Sequence, residues 1–180
     1  MVLGSLVLAP ALDRPDLLAG PVLALLQHWP RAGEVEVAEI DPELADTEAF
    51  CAAYGVLPAA SGNCVVVAGR RGEVVRLAAC LVLATTRADV NGVVRRRLDA
   101  RKASFAPLEQ TVEACGMEYG GITPVGLPAD WPVLVDPAVV DAAQVVVGSG
   151  LRRSKLVLPG RAVADLPGVE VLSGLGQPVG

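Results

Sequence analysis

Two glycine-rich stretches carry the chemistry open to this chain of 180 residues. The first is Gly120-Gly121-Ile122-Thr123-Pro124-Val125-Gly126. Its glycines permit positive φ and close approach of a ligand to backbone N–H groups, and Pro124 stiffens the loop. Such a loop can hold a carbonyl oxygen as it becomes an oxyanion, or it can be a tight turn between a helix and a strand. The second is Gly148-Ser149-Gly150, directly after Val145-Val146-Val147. It lacks the third glycine of a dinucleotide fingerprint, because Arg153 stands there and another strand follows. A turn or a pocket wall remains. Asp136 ends an apolar run before Pro137, where it caps a turn or helps to shape a site.

Other chemistries are excluded by residue type. A single histidine, His28, rules out a His-rich metal centre, and beside Trp29-Pro30 it reads as a helix-end residue. No P-loop, HExxH or GxSxG pattern occurs. Cysteines 51, 64, 80 and 115 form no CxxC pair and read as buried thiols of a reducing compartment. Only 3% of residues are aromatic against 52% hydrophobic, so the core is Val, Leu and Ala, and a multi-aromatic base-stacking platform is not expected. No run approaches the length of a membrane span, and no signal peptide is read at the start.

The net charge of −5 argues against a simple cationic nucleic-acid binder, but its distribution is uneven. Residues 1–69 hold two basic and nine acidic residues, while 70–180 hold thirteen basic and eleven acidic. Arg95, Arg96, Arg97, Arg101 and Lys102 cluster, as do Arg152, Arg153 and Lys155. These groups are solvated faces, or a local basic surface that positions a polyanion.

The elements that must position these residues follow from the hydrophobic pattern. Pro15–His28 reads as a helix broken or kinked at Gly20-Pro21, and 34–40 alternates as an edge strand. Thr47 caps a helix that ends at Gly55. Cys64–Ala68 and Val74–Thr85 form a hairpin turning at 70–73, and the apolar run 78–84 predicts a strand covered on both faces. Asp89 or Asn91 caps a helix to Asp99, and Pro107 starts one ending at Gly116. Short strands follow at 132–135, 144–147, 155–158 and 169–172, and 176–180 reads as a frayed tail. This mixture indicates an α+β domain.

On these residues the chain resembles the YbaK/EbsC family of free-standing prolyl-tRNA editing proteins and synthetase editing insertions. The resemblance rests on Gly116-Met117-Glu118-Tyr119-Gly120 through Pro124-Val125-Gly126, then Trp131-Pro132-Val133-Leu134-Val135-Asp136. Ala88-Asp89-Val90-Asn91-Gly92 and the 145–155 strand pair support it, so that it spans roughly residues 35–172. It implies one domain over 1–180, with 1–34 an extension and 173–180 a tail, built on a mixed, strongly curved β-sheet flanked by helices. It further implies cytoplasmic hydrolysis of the ester on mischarged tRNA, with tRNA and a synthetase as partners and no metal, cofactor or membrane.

Carried onto this sequence, the resemblance makes Gly120 and Pro124 catalytic-loop residues and Gly121, Ile122, Thr123, Gly126, Asp136, Gly148, Ser149 and Gly150 the pocket. Arg95, Arg96, Arg97, Arg101, Lys102, Arg152 and Lys155 would meet the acceptor stem. The family lysine on the strand after the early helix is replaced by Asn63, which keeps a hydrogen-bond donor and loses the charge. Two functions follow: a trans-acting deacylase using Asn63, or a non-catalytic module that binds aminoacyl-tRNA or a synthetase. Cys64, beside Asn63, is either a nucleophile or a buried strand thiol.

Overall fold

The computed structural model describes residues 3–179. In chain order its elements are β1 (Ala9–Pro10), α1 (Gly20–Leu26), β2 (Glu36–Glu39), α2 (Thr47–Tyr54), β3 (Gly62–Arg71), β4 (Val74–Leu83), β5 (Thr86–Ala88), α3 (Arg95–Arg97), β6 (Lys102–Phe105), α4 (Leu108–Cys115), β7 (Val133–Val135), α5 (Pro137–Asp141), β8 (Val145–Gly148), β9 (Ser154–Leu158), α6 (Gly160–Val163), β10 (Val169–Val171) and β11 (Gly176–Pro178).

The β3–β4 hairpin is the spine. Ten residue pairs run from Gly62↔Leu83 to Arg71↔Val74, and Gly72 turns the chain at φ +60°. β4 lies inside a mixed five-stranded sheet of order β10-β7-β4-β3-β6. Its continuous apolar run is explained by two cores: Leu81 and Leu83 pack into one, Ala78, Cys80 and Val82 into the other. A four-stranded antiparallel sheet, β1-β2-β9-β8, meets the hairpin through a parallel bridge between Ser61 and Val146. The β-structure of this α+β domain is thus two sheets joined at the start of β3, plus a two-stranded β5–β11 pair.

Several boundaries differ from the sequence expectation for physical reasons. Gly20-Pro21 opens α1 instead of kinking it, because Pro21 in the first turn forfeits an N–H that has no helical partner anyway. β2 is not an edge: β9 pairs along its length, and β1 covers part of the other side. The region expected to fray instead pairs residues 176–178 with β5, and the Asp136 carboxylate accepts the Gly176 N–H at 2.7 Å. The same carboxylate caps α5 through Ala138 N at 2.9 Å.

Asp89, not Asn91, caps the helix before the arginine cluster. Its oxygens accept from Gly92 N and Val93 N at 3.0 and 2.9 Å, and the next turn, Val90–Val94, is π-helical before α3. Asp89→Ala leaves those amides without a partner and is expected to cost about 1–2 kcal/mol, read as a lowered urea midpoint with unchanged slope.

Candidate functional site

A cavity of about 340 Å³ opens where the two sheets meet. Its floor is the start of β3, with Gly62, Asn63 and Cys64. One wall is the entry to α2 (Ala45, Asp46, Thr47). The opposite wall is the Tyr119–Ile122 turn with Gly148, and Lys155 of β9 closes the interior.

The two glycine-rich stretches are pressed together. Gly150 N donates to Gly121 O at 2.7 Å, and Glu118 N donates to Gly150 O at 2.8 Å. A Cβ on Gly148 would lie 2.3 Å from Gly121 O and 2.7 Å from Ile122 O. Any side chain at 148 would therefore drive the turns apart. Gly120 sits at φ +80°, the left-handed region that disfavours other residues. Among the described residues, the N–H groups of Gly120 and Ile122 have no hydrogen-bond acceptor. Both residues line the cavity, and an unpaired backbone N–H is the type of donor that can hold an oxyanion.

Asn63 is oriented by α2. The expected cap, Thr47, is instead the first helical residue, behind Asp46, and its hydroxyl donates to Asn63 Oδ1. That leaves the Asn63 Nδ2 group as a donor with no partner among the described residues. Cys64 lines the same floor, but burial, reinforced by Cys80 and Cys115, pushes its thiol far above the ordinary range. A neutral thiol is a poor nucleophile, and the strand-thiol reading is the one this environment favours.

Asn63, Gly120, Ile122, Gly148 and Lys155 are thus brought to one cavity. Gly121, Thr123, Pro124, Gly126, Ser149 and Gly150 stand behind its wall. Ser149 is fully buried, with its hydroxyl 2.7 Å from Ser154 Oγ and 3.2 Å from Leu151 O. Gly126 lies against the Pro21 backbone, and Gly150 against Ala19. Asp136 is away from the cavity, engaged with α5 and β11. His28 is exposed after α1.

The cations separate. Arg152 is a brace: it donates to Tyr119 O at 3.2 Å and to Pro42 O at 3.0 Å, and lies over the Tyr119 ring. Arg97 pairs with Glu170 at 2.6 Å. Arg95, Arg101 and Lys102 line a shallow groove with Arg70 and Asn91. Asn91 also lines a second hollow, which shares Asn63, Val65 and Phe105 with the main cavity. Lys155 corrects the sequence grouping. It is 8% exposed, its ammonium donates to Ala45 O at 2.8 Å, and it sits 5.3 Å from the centre of the Phe50 ring.

Sequence reasoning placed Lys155 with the basic surface instead of in the cavity, and missed the Thr47 hydroxyl and Phe105. The available signal for Lys155 was a charge opening an otherwise apolar strand, which a central strand can house only in a cavity. Phe105 is a large apolar side chain left 65% exposed at the rim. Among the described residues no group of three or more His, Cys, Asp or Glu side chains is arranged to hold a metal, and no helix is long and apolar enough to cross a membrane.

Comparison with known proteins agrees with this architecture. The aminoacyl-tRNA editing domain matches residues 41–166, and the chain belongs to that family. A crystal structure of a candidate trans-editing enzyme for prolyl-tRNA synthetase superposes with TM-score 0.71 at 22% identity, covering 84% of this chain and 94% of that one. A scaffold protein used for epitope backbone grafting gives TM-score 0.72 at 20% identity, covering 86% and 96%. A hypothetical protein gives 0.71 at 18%, covering 82% and 94%. No curated protein matches the chain. At these identities the superpositions establish the fold.

Proposed function

We propose that the protein is a trans-acting aminoacyl-tRNA deacylase that hydrolyses the ester joining a misattached amino acid to the tRNA 3′ end. The observation that carries this reading is one cavity lined by Asn63, whose Nδ2 has no partner among the described residues, and by Gly120 and Ile122, whose amides have none. An aminoacyl ester is activated and has a ribose hydroxyl next to it, so fixed donors and correct positioning can suffice. Asn63 orients the ribose or carbonyl oxygen, Gly120 with Ile122 supplies backbone donors, and Pro124, Thr123, Gly121 and Gly126 keep the loop rigid. Gly148 forms the facing wall, backed by Ser149 and Gly150. The substrate is met in the cytoplasm, with no cofactor required, and the whole chain, 1–180, acts as one editing domain.

The RNA end would leave past Phe105, whose exposed ring offers the terminal base a stacking face. The phosphates would then run toward Arg95, Arg101 and Lys102. A second reading, a module that binds aminoacyl-tRNA or a synthetase without hydrolysis, draws on the missing charge at Asn63.

The deciding experiment is deacylation of a panel of mischarged tRNAs by the parent, Gly120→Ala and Asn63→Lys. Turnover by the parent that falls at least tenfold in Gly120→Ala is expected. Tight binding without turnover establishes the module instead. Turnover gained only in Asn63→Lys identifies a decayed site. In the same assay Arg101→Gln with Lys102→Gln should raise KM, leave kcat near the parent value and lessen the salt dependence of binding by about two phosphate contacts.

A further inference from the structure

A lysine taken out of water without a carboxylate partner is costly, and chains retain one where its charge is used. Lys155 is such a residue. It enters from β9, between β2 and β8, lines the cavity that holds Asn63, and places its ammonium on Ala45, another residue of that lining. No Asp or Glu lies within salt-bridge distance of it among the described residues. One of its three protons goes to Ala45 O at 2.8 Å, and the Phe50 ring faces the charge at 5.3 Å. Two donors remain. Among the described residues that line the cavity, no other side chain is cationic.

We propose that Lys155 is a catalytic cation of this cavity: its ammonium, anchored on Ala45 O and the Phe50 ring, donates to the carbonyl oxygen of the bound aminoacyl ester as that oxygen takes up negative charge. This rests on the deacylase reading and assigns the charge that Asn63 does not bring. Water adds to the acyl carbon, and the carbonyl π pair moves onto the oxygen facing Lys155. Collapse of that intermediate re-forms the carbonyl and breaks the bond to the ribose oxygen, which takes the proton given up by the water. The products are the free amino acid and the ribose hydroxyl, and Lys155 is unchanged at the end.

The ammonium must be charged to act. The charged and titratable groups around it are Asp46, just before α2, Cys51 from α2, Cys64 from β3, Tyr119 from the facing turn and Arg152 from the turn before β9. Burial, with Arg152 adding to it and Asp46 opposing, brings the Lys155 pKa down to about 8. Catalysed deacylation, after subtraction of the spontaneous rate, should therefore fall as pH rises through about 8.

The test compares the parent with Lys155→Met in two assays. In deacylation, Lys155→Met should lose about 10²–10³-fold in kcat with little change in KM, and the alkaline fall should vanish. In equilibrium binding, two adenosine probes with the same α-ammonium are used: a 3′-(1-aminoethyl)phosphonate, whose anionic oxygens stand where the oxyanion forms, and the 3′-alanylamide, whose carbonyl is neutral. Lys155→Met should weaken the phosphonate at least 30-fold more than the amide, an asymmetry that a merely structural lysine would not produce. Deacylation retained within threefold by Lys155→Met overturns the proposal and leaves the deacylase reading standing. A parent that hydrolyses nothing removes the deacylase reading. The phosphonate assay then still decides whether Lys155 is an anion-holding group, and equal or absent binding by parent and variant overturns it.

Discussion

Gly148→Ala is expected to remove nearly all deacylation and to lower stability together, because one methyl group strikes two backbone oxygens of the opposite wall. Its Cβ would lie 2.3 Å from Gly121 O and 2.7 Å from Ile122 O. Neither atom can swing aside like the end of a side chain. Gly121 O is itself held by Gly150 N at 2.7 Å, and Gly121 N donates to Glu118 O at 3.0 Å. Relief requires the turns to part by about 1 Å, an overpacking strain of about 1–3 kcal/mol. The same shift displaces the Gly120 and Ile122 amides, and a misplacement of that size costs about 10²-fold in rate.

Gly33→Ala is the control, since its added methyl meets nothing within 4 Å, and it should remain within about 0.5 kcal/mol of the parent. Gly120→Ala is milder in contacts, because its Cβ meets the end of a side chain, the Arg152 guanidinium at 2.5 Å, instead of backbone, although displacing it strains the bond to Tyr119 O and the φ of +80° adds strain. Urea unfolding and kcat/KM on the best substrate measure all three. A Gly148→Ala protein with parental stability and rate would mean that the turns yield freely, and the rigid-wall account would fail.

The hairpin, a cap at Asp89 or Asn91 and the helix stops at Gly55 and Gly116 are legible in the sequence because each depends on neighbours within a few residues, and the structure selects Asp89. β4 is legible for a related reason: burial on both faces leaves no polar alternation, and the run 78–83 shows none. The C-terminal strand is not. Residues 176–178 are held by β5 and by Asp136, ninety and forty residues earlier, and no local pattern reports either partner.

The site divides in the same way. That Gly120 and Gly148 share a hollow follows from the family order of motifs, and the structure brings them to one cavity. The separation of Lys155 from Arg152 and Arg153 depends on where the turn ends and β9 begins: the two arginines lie in the turn, and Lys155 lies in a strand buried at every position. Arg152 bonds to Tyr119 O and Pro42 O at the surface, whereas Lys155 turns inward. A one-dimensional charge cluster conceals that reversal. The resemblance places a lysine where Asn63 stands, and the described cavity receives an ammonium from another strand of another sheet.

That inward charge makes the second large effect a gain in stability. With its pKa at about 8 in the folded protein and 10.5 ordinarily, Lys155 binds its proton less tightly when folded. Across pH 8–10.5 the unfolded chain therefore holds more protons than the folded one, and stability rises with pH over that window. Below about pH 8 the full cost is present, about 3 kcal/mol by the size of the shift. Lys155→Met removes the cost and keeps an unbranched apolar chain against Phe50.

At pH 7 the variant should be about 2–3 kcal/mol more stable than the parent, and the gap should close toward pH 10 as the parent lysine loses its proton. Other alkaline titrations are common to both proteins and cancel in the difference. Urea melts followed through the buried Trp29 and Trp131 give the two curves. A gap that stays constant from pH 7 to 10 would show that the ammonium is adequately compensated by Ala45 O and the Phe50 ring. A gap that closes, in a variant that has also lost deacylation, is the pattern of a site that holds an unfavourable charge for the sake of its reaction.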